Sequence, residues 1–165
     1  MTSSLEIFDA ETMEHMGTRS FGIQWGALNW VDWHDDHWWM TFANYDLPIG
    51  PNKTPYGHKA NTLMVKLTPD FRPAESWTFP KVLLDKFELM SNSGGSWGAD
   101  GFLYLTGHDP AELYRARLPK AGSVLELVNT IPMNIRGQGI AWDRSQSGTI
   151  CRNHSRDSDG KASGR

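Results

Sequence analysis

Apolar residues recur at every second position in several short runs, and each run closes on a turn containing Asp, Pro or Gly. Leu63, Val65 and Leu67 are the clearest case, with Lys66 between the last two. A period of two gives a strand one buried and one wet face, so this run is expected to be half-exposed. Three segments share a strand-turn-strand plan: Leu5 through Met13 to Phe21, Leu63 through Asp70 to Phe79, and Leu113 through Gly122 to Ile131. Each reads as a hairpin.

A second kind of unit lies between these hairpins. One opens at Gly26 and continues, after a polar turn, from Trp38 to Asp46. Another opens at Gly95, turns at Asp100-Gly101 and runs from Phe102 to Asp109. A third opens at Gly139 and reaches Ile150. Small opening residues let strands crowd together, and Asp-Gly is a tight-turn signal. With the strands of a unit numbered first to fourth, the chain reads 3-4, 1-2-3-4, 1-2-3-4, 1. Gly95 to Gly139 spans 44 residues, a normal spacing for propeller blades. Gly26 to Gly95 spans 69, which calls for two insertions: a Pro/Gly/Asn-rich loop from Asp46 to Ala60, and a short helix within 80–90 that aligns Leu83, Phe87 and Met90. Trp30, Trp97 and Trp142 then recur at similar positions and are expected to pack between units.

The stretch from Gly95 to Thr106 (Gly-Ser-Trp-Gly-Ala-Asp-Gly-Phe-Leu-Tyr-Leu-Thr) resembles the inner-strand pattern of six- and seven-bladed propellers, the lactonase-like and NHL-like groups above all. The resemblance covers residues 5–150 and concerns architecture. No catalytic residue of those families matches position by position. The expected fold is all-β, with tandem four-stranded antiparallel blades of an incomplete β-propeller, about two and a half of them over residues 1–150. An antiparallel sandwich is the plain alternative.

After Ile150 the pattern asks for an apolar second strand, yet from Arg152 to Arg165 the sole apolar residue is Ala162. Residues 151–165 are therefore expected to form a polar, disordered tail. This break, and a start at a third strand, suggest a truncated or frameshifted product or a domain fragment. A native polar tail on an open stack is the alternative. Either way, uncovered blade edges are expected to promote self-association.

Composition narrows the partners. Aromatics make up 12% of the 165 residues and eight are tryptophan, so the chain up to about 150 is globular. A net charge of −3 with dispersed signs gives no electrostatic attraction to nucleic acid or an anionic membrane. Cys151 stands alone, which excludes an intrachain disulfide. No apolar run reaches the roughly 18–20 residues of a membrane helix. The start lacks the basic and apolar regions of a signal peptide, so the chain as written is expected in the cytoplasm.

Three sets of residues carry candidate chemistry. Gly94-Gly95-Ser96-Trp97-Gly98 is a G-x-S-x-G string, but it leads into a strand and an Asp-Gly turn and not into the helix that a nucleophilic serine needs. His34-Asp35-Asp36-His37 has metal-ligand types, though the pattern demands a turn there. By the propeller resemblance, ligand sites surround the channel on the face carrying the second-to-third and fourth-to-first connections. That places Asn44, Asp46, His108 and Asp109 at second-strand exits, with Asn92, Gln24 and Gln138 on neighbouring connections.

Asn44, Asp46, Asn92, Asp109 and Gln138 are accordingly the expected ligand-binding residues. Asp46 and Asp109 are the metal candidates, for Ca2+ or another divalent cation, and His108 is a candidate general base. The plain alternative is that Asp46 and Asp109 cap loops. The expected function is a binding scaffold for a small-molecule or protein ligand. A divalent-metal-dependent, lactonase-like hydrolase or lyase acting in a completed ring is the alternative.

Overall fold

The computed structural model describes residues 2–24, 26–49, 54–55, 57–135, 139–145 and 148–152. It is all-β and antiparallel. A hairpin opens the chain, β1 (Thr2–Phe8) with β2 (His15–Ile23). A four-stranded sheet follows in the order β3 (Ala27–His34), β4 (His37–Ala43), β7 (Leu63–Leu67), β8 (Pro73–Thr78). Between β4 and β7 a loop carries the two-residue strands β5 (Pro48–Ile49) and β6 (Thr54–Pro55). The second four-stranded sheet is β9 (Asn92–Trp97), β10 (Leu103–Gly107), β11 (Glu112–Arg117), β12 (Glu126–Pro132). The pair β13 (Ile140–Trp142) and β14 (Ile150–Arg152) comes last. The expected helix is α1 (Lys81–Lys86), which starts after Pro80 and buries Leu83 and Leu84.

The sheets stack face to face with an apolar layer at each junction. Leu5 and Phe21 of the hairpin lie on Met40, Val65 and Leu67 of the first four-stranded sheet. The opposite face of that sheet gives Trp39, Met64 and Trp77 to a second layer shared with Trp97, Leu103, Leu105 and Tyr114. Tyr104 and Leu113, on the far face of the second sheet, meet Ile140, Trp142 and Ile150. Both four-stranded sheets are thus covered on both sides, and this corrects the half-wet reading of β7. Met64 is fully buried, and the ammonium of Lys66 sits 5.5 Å from the centre of the Trp39 ring. Lys66 keeps its charge near solvent while its stem lies on an aromatic surface.

Register aligns the two four-stranded sheets otherwise than the Gly26 to Gly95 spacing. β3 carries a bulge at Asn29 between the pairs Leu28↔Phe42 and Trp30↔Thr41. β9 carries the same bulge at Ser93 between Asn92↔Gly107 and Gly94↔Thr106. Matching the bulges aligns Asp32 with Ser96, residues 64 apart, and Thr41 with Thr106. The first-strand equivalent of Trp97 is therefore Trp33, and Trp30 falls beside Gly94. The misalignment came from treating Gly26 and Gly95 as partners. Gly95 is small for another reason: a Cβ there would stand 2.4 Å from the Trp30 ring.

Side chains of one sheet bind the backbone of the next. The Asp32 carboxylate accepts the Trp97 N–H at 2.8 Å and the Ser96 hydroxyl at 3.0 Å, and Arg144 donates to both of its oxygens at 3.0 Å. Ser96 Oγ in turn accepts the Trp142 N–H at 3.3 Å. At the outer edge, the Thr78 N–H donates to Ser123 O at 2.8 Å and its carbonyl accepts the Leu125 N–H at 3.0 Å. Among the described residues the sheets do not close on themselves. β14 carries strand structure two residues beyond the boundary expected at 150, and the rest of the expected tail lies outside the described residues.

Candidate functional site

Since Asn29 and Trp30 bond to Asn92 while Asp32 bonds to Ser96 and Trp97, β3 and β9 run in the same direction. Their partners β4 and β10 therefore exit at one end of the stack. From β4 the chain enters the long 44–62 loop; from β10 it crosses directly through 108–111 to β11. The shared register equates Asn44 with Asp109 and sets Asp46 two residues further on. Asp46 and Asp109 thus follow the corresponding strands two register positions apart and are not equivalent.

The candidates divide by what their polar atoms do. Asn44 is buried; its N–H donates to Thr62 Oγ1 at 3.1 Å and its Nδ2 to Asn61 O at 3.0 Å. The Thr62 hydroxyl stands 2.7 Å from Ser91 Oγ, so the base of the 44–62 loop is clipped to the start of β9. Asn92 is fully buried as well. Its Oδ1 accepts Trp30 Nε1–H at 2.6 Å, and its Nδ2 donates to Gly94 O at 2.9 Å and Thr106 O at 3.0 Å. Both asparagines are consumed by the fold, which is the usual fate of buried amides.

The acidic candidates remain partly exposed. Asp46 Oδ1 accepts the Lys59 N–H at 3.0 Å, with His58 Nδ1 at 3.7 Å and Lys59 Nζ at 3.9 Å from the carboxylate. The Asp46 and Leu47 N–H groups both donate to Leu89 O at 3.1 Å. Asp109 Oδ1 stands 2.7 Å from His108 Nδ1, and both side chains are about half exposed. The segment after α1 lies between the two groups: Leu89 holds Asp46, while a Cβ on Gly107 would stand 2.8 Å from the Phe87 ring. Phe87 occupies the space that a side chain beside His108 would need.

Gln24 Nε2 donates to Phe21 O at 2.6 Å, on the hairpin. Gln138 and its neighbours Arg136 and Gly137 lie outside the described residues. Among the described residues, no three or more His, Cys, Asp or Glu side chains gather to hold a metal ion. Calcium takes six to eight oxygens, and Asp46 already spends one on backbone. His34-Asp35-Asp36-His37 is the β3–β4 turn, with Asp35 and Asp36 at φ 50 and 55, and His34 stacks on Trp97 at 4.9 Å. Ser96 sits inside β9, and the strand β10 follows it.

Sequence reasoning passed over Asp32, although a carboxylate between Val31 and Trp33 in an apolar strand was a usable signal. It also passed over His58 and Lys59, whose proximity to Asp46 depends on how the loop folds back. Trp33 is 41% exposed and lies edge-on to Trp38 at 4.8 Å, whereas Trp39 is buried. No protein-family model matches the chain, and no curated protein or solved structure shows a significant similarity to it.

Proposed function

We propose that the chain is a ligand-binding scaffold of β-propeller type that presents the second-strand exits of its stacked sheets to a small polar molecule or a protein segment. One observation carries this reading. Asp46 with His58 and Lys59, and Asp109 with His108, place two partly exposed polar groups at one end of a stack in which Asn44 and Asn92 are consumed internally. Loops on a rigid sheet scaffold are where binding residues usually sit.

The test is a two-dimensional amide NMR titration of the full chain with defined mixtures of monosaccharides, amino acids and dicarboxylates. Saturable shifts confined to Asp46, His58, Lys59, His108 and Asp109, and lost in Asp46→Asn/Asp109→Asn, are expected. Shifts elsewhere, or shifts that survive the double substitution, would sink the reading. One equivalent of calcium bound through Asp46 and Asp109 would instead favour the hydrolase.

A further inference from the structure

The hairpin β1–β2 and the pair β13–β14 are complementary halves of one sheet, and register shows it. Each third-to-fourth strand pair has its bulge at the same place. The extra residue is Ala74 before Leu67↔Pro73, Val128 before Ala116↔Leu127, and Met16 before Phe8↔His15. Phe8 is thus the equivalent of Leu67 and Ala116, which makes β1 a third strand and β2 a fourth. At the other end, the Asp32 carboxylate accepts the Trp97 N–H, and Ser96, at the position of Asp32 one sheet later, accepts the Trp142 N–H. Trp142 therefore stands where Trp97 does, and its partner Ile150 where Leu103 does. β13 is a first strand and β14 a second.

Among the described residues, β1 pairs only with β2 and β14 only with β13. In both complete sheets the second strand joins the third in one register, Trp38↔Leu67 to Met40↔Val65 and Leu103↔Ala116 to Leu105↔Tyr114. Carried to the open edges, that register sets Ile150 opposite Phe8, Cys151 opposite Ile7 and Arg152 opposite Glu6. Backbone direction agrees. Asp143 N–H donates to Thr149 O, so by antiparallel alternation Cys151 bonds to Ala141 while Ile150 and Arg152 turn their N–H and C=O groups to the open edge. On β1, Ile7 and Phe8 are 44% and 50% exposed.

We infer that two copies of the chain close into one ring, with β14 of each pairing with β1 of the other. Each copy brings two complete sheets, and the two junctions build two shared ones, so the ring has six. That lies within the range of about four to eight blades in which propellers close, whereas three copies would overshoot it. The contact is two-fold symmetric and leaves neither edge free. First strands neighbour one another along the stack, β3 beside β9 and β9 beside β13, but β1 now lies against β3. Entry of the second copy's β13 therefore moves the hairpin outward, into the open space beside Phe21 and Phe71. The closure rests on the propeller part of the reading proposed above and not on its ligand residues.

The full chain supplies the test. Sedimentation equilibrium at micromolar concentrations should show a dimer. Arg152→Pro removes an edge N–H while sparing the bonds of β14 to β13, and should raise the dissociation constant at least about tenfold, because the contact occurs twice. Register is read by thiol chemistry. Cys151 and Ile7 form a non-hydrogen-bonded pair, with Cα atoms about 4.5 Å apart, inside the reach of a disulfide. Ile7→Cys/Cys151→Ser mixed with wild type under copper–phenanthroline should therefore give a mixed disulfide, in several-fold excess over Glu6→Cys/Cys151→Ser. Circular dichroism spectra matching wild type show that the variants fold. A chain that stays monomeric, a ladder of species beyond two, or equal cross-linking at both positions would overturn the closure. None of these would bear on the ligand titration, which reads Asp46 and Asp109.

Discussion

Asn92 shows what a single polar residue can and cannot reveal in a sequence. Its place before an inner strand made it a ligand candidate, but its amide is committed to Trp30, Gly94 and Thr106. Trp30 is 62 residues away, so only the folded register shows that the amide has no capacity left. Asn92→Ala should remove the acceptor of a buried indole N–H, costing about 1–3 kcal/mol. Urea denaturation followed by tryptophan fluorescence would show it. A change below about 1 kcal/mol would mean that water replaces the amide. Asp46 differs from Asn92 in a way composition cannot express, because its exposure depends on the path of the loop around it.

At the level of single elements, the β9–β10 turn was the most legible. Asp100-Gly101 predicted a tight reversal, and Gly101 has φ 77. Beyond the turn itself, Asp100 accepts the Tyr104 hydroxyl at 2.8 Å, the Phe102 N–H at 3.2 Å and Arg115 at 3.0 Å. Partial burial opposes its ionisation, but these donors outweigh burial and hold its carboxyl below the ordinary value of 3.8. A carboxyl depressed in the folded state stabilises above its unfolded value and loses that contribution as pH falls through the folded one. The urea midpoint of wild type should therefore decline on acidification below about pH 4 more steeply than that of Asp100→Asn. Parallel declines would remove Asp100 from the acid response. The bulges at Asn29 and Ser93 were illegible, because nothing in a two-residue period marks an extra residue.

For the whole molecule, the period of two foretold the sheets, while the expectation that they stack came from the spacing of the units and their tryptophans. Leu63, Val65 and Leu67 announced one buried face, whereas Met64 and Lys66 pack on the other because a second sheet lies there. The stacking is fastened through Asp32, which joins β3 to β9 and, through Arg144, to the β13–β14 end. Asp32→Ala should thus raise hydrogen-exchange rates in β13 and β14 first, while β10 and β11 keep their protection. Uniform loss of protection would show the stack to be one cooperative unit.

The clip formed by Asn44, Thr62 and Ser91 reaches beyond stability. At the same exit one sheet needs only residues 108–111 to turn back, while the other accommodates residues 44–62, and both sheets keep the same bulge and register. By tying the loop at its base, the clip separates the history of the insertion from that of the scaffold. Sequence between the tied ends can drift, lengthen or be exchanged for a grafted segment without renegotiating the core. That freedom lets the loop at this exit change faster than the sheets that carry it.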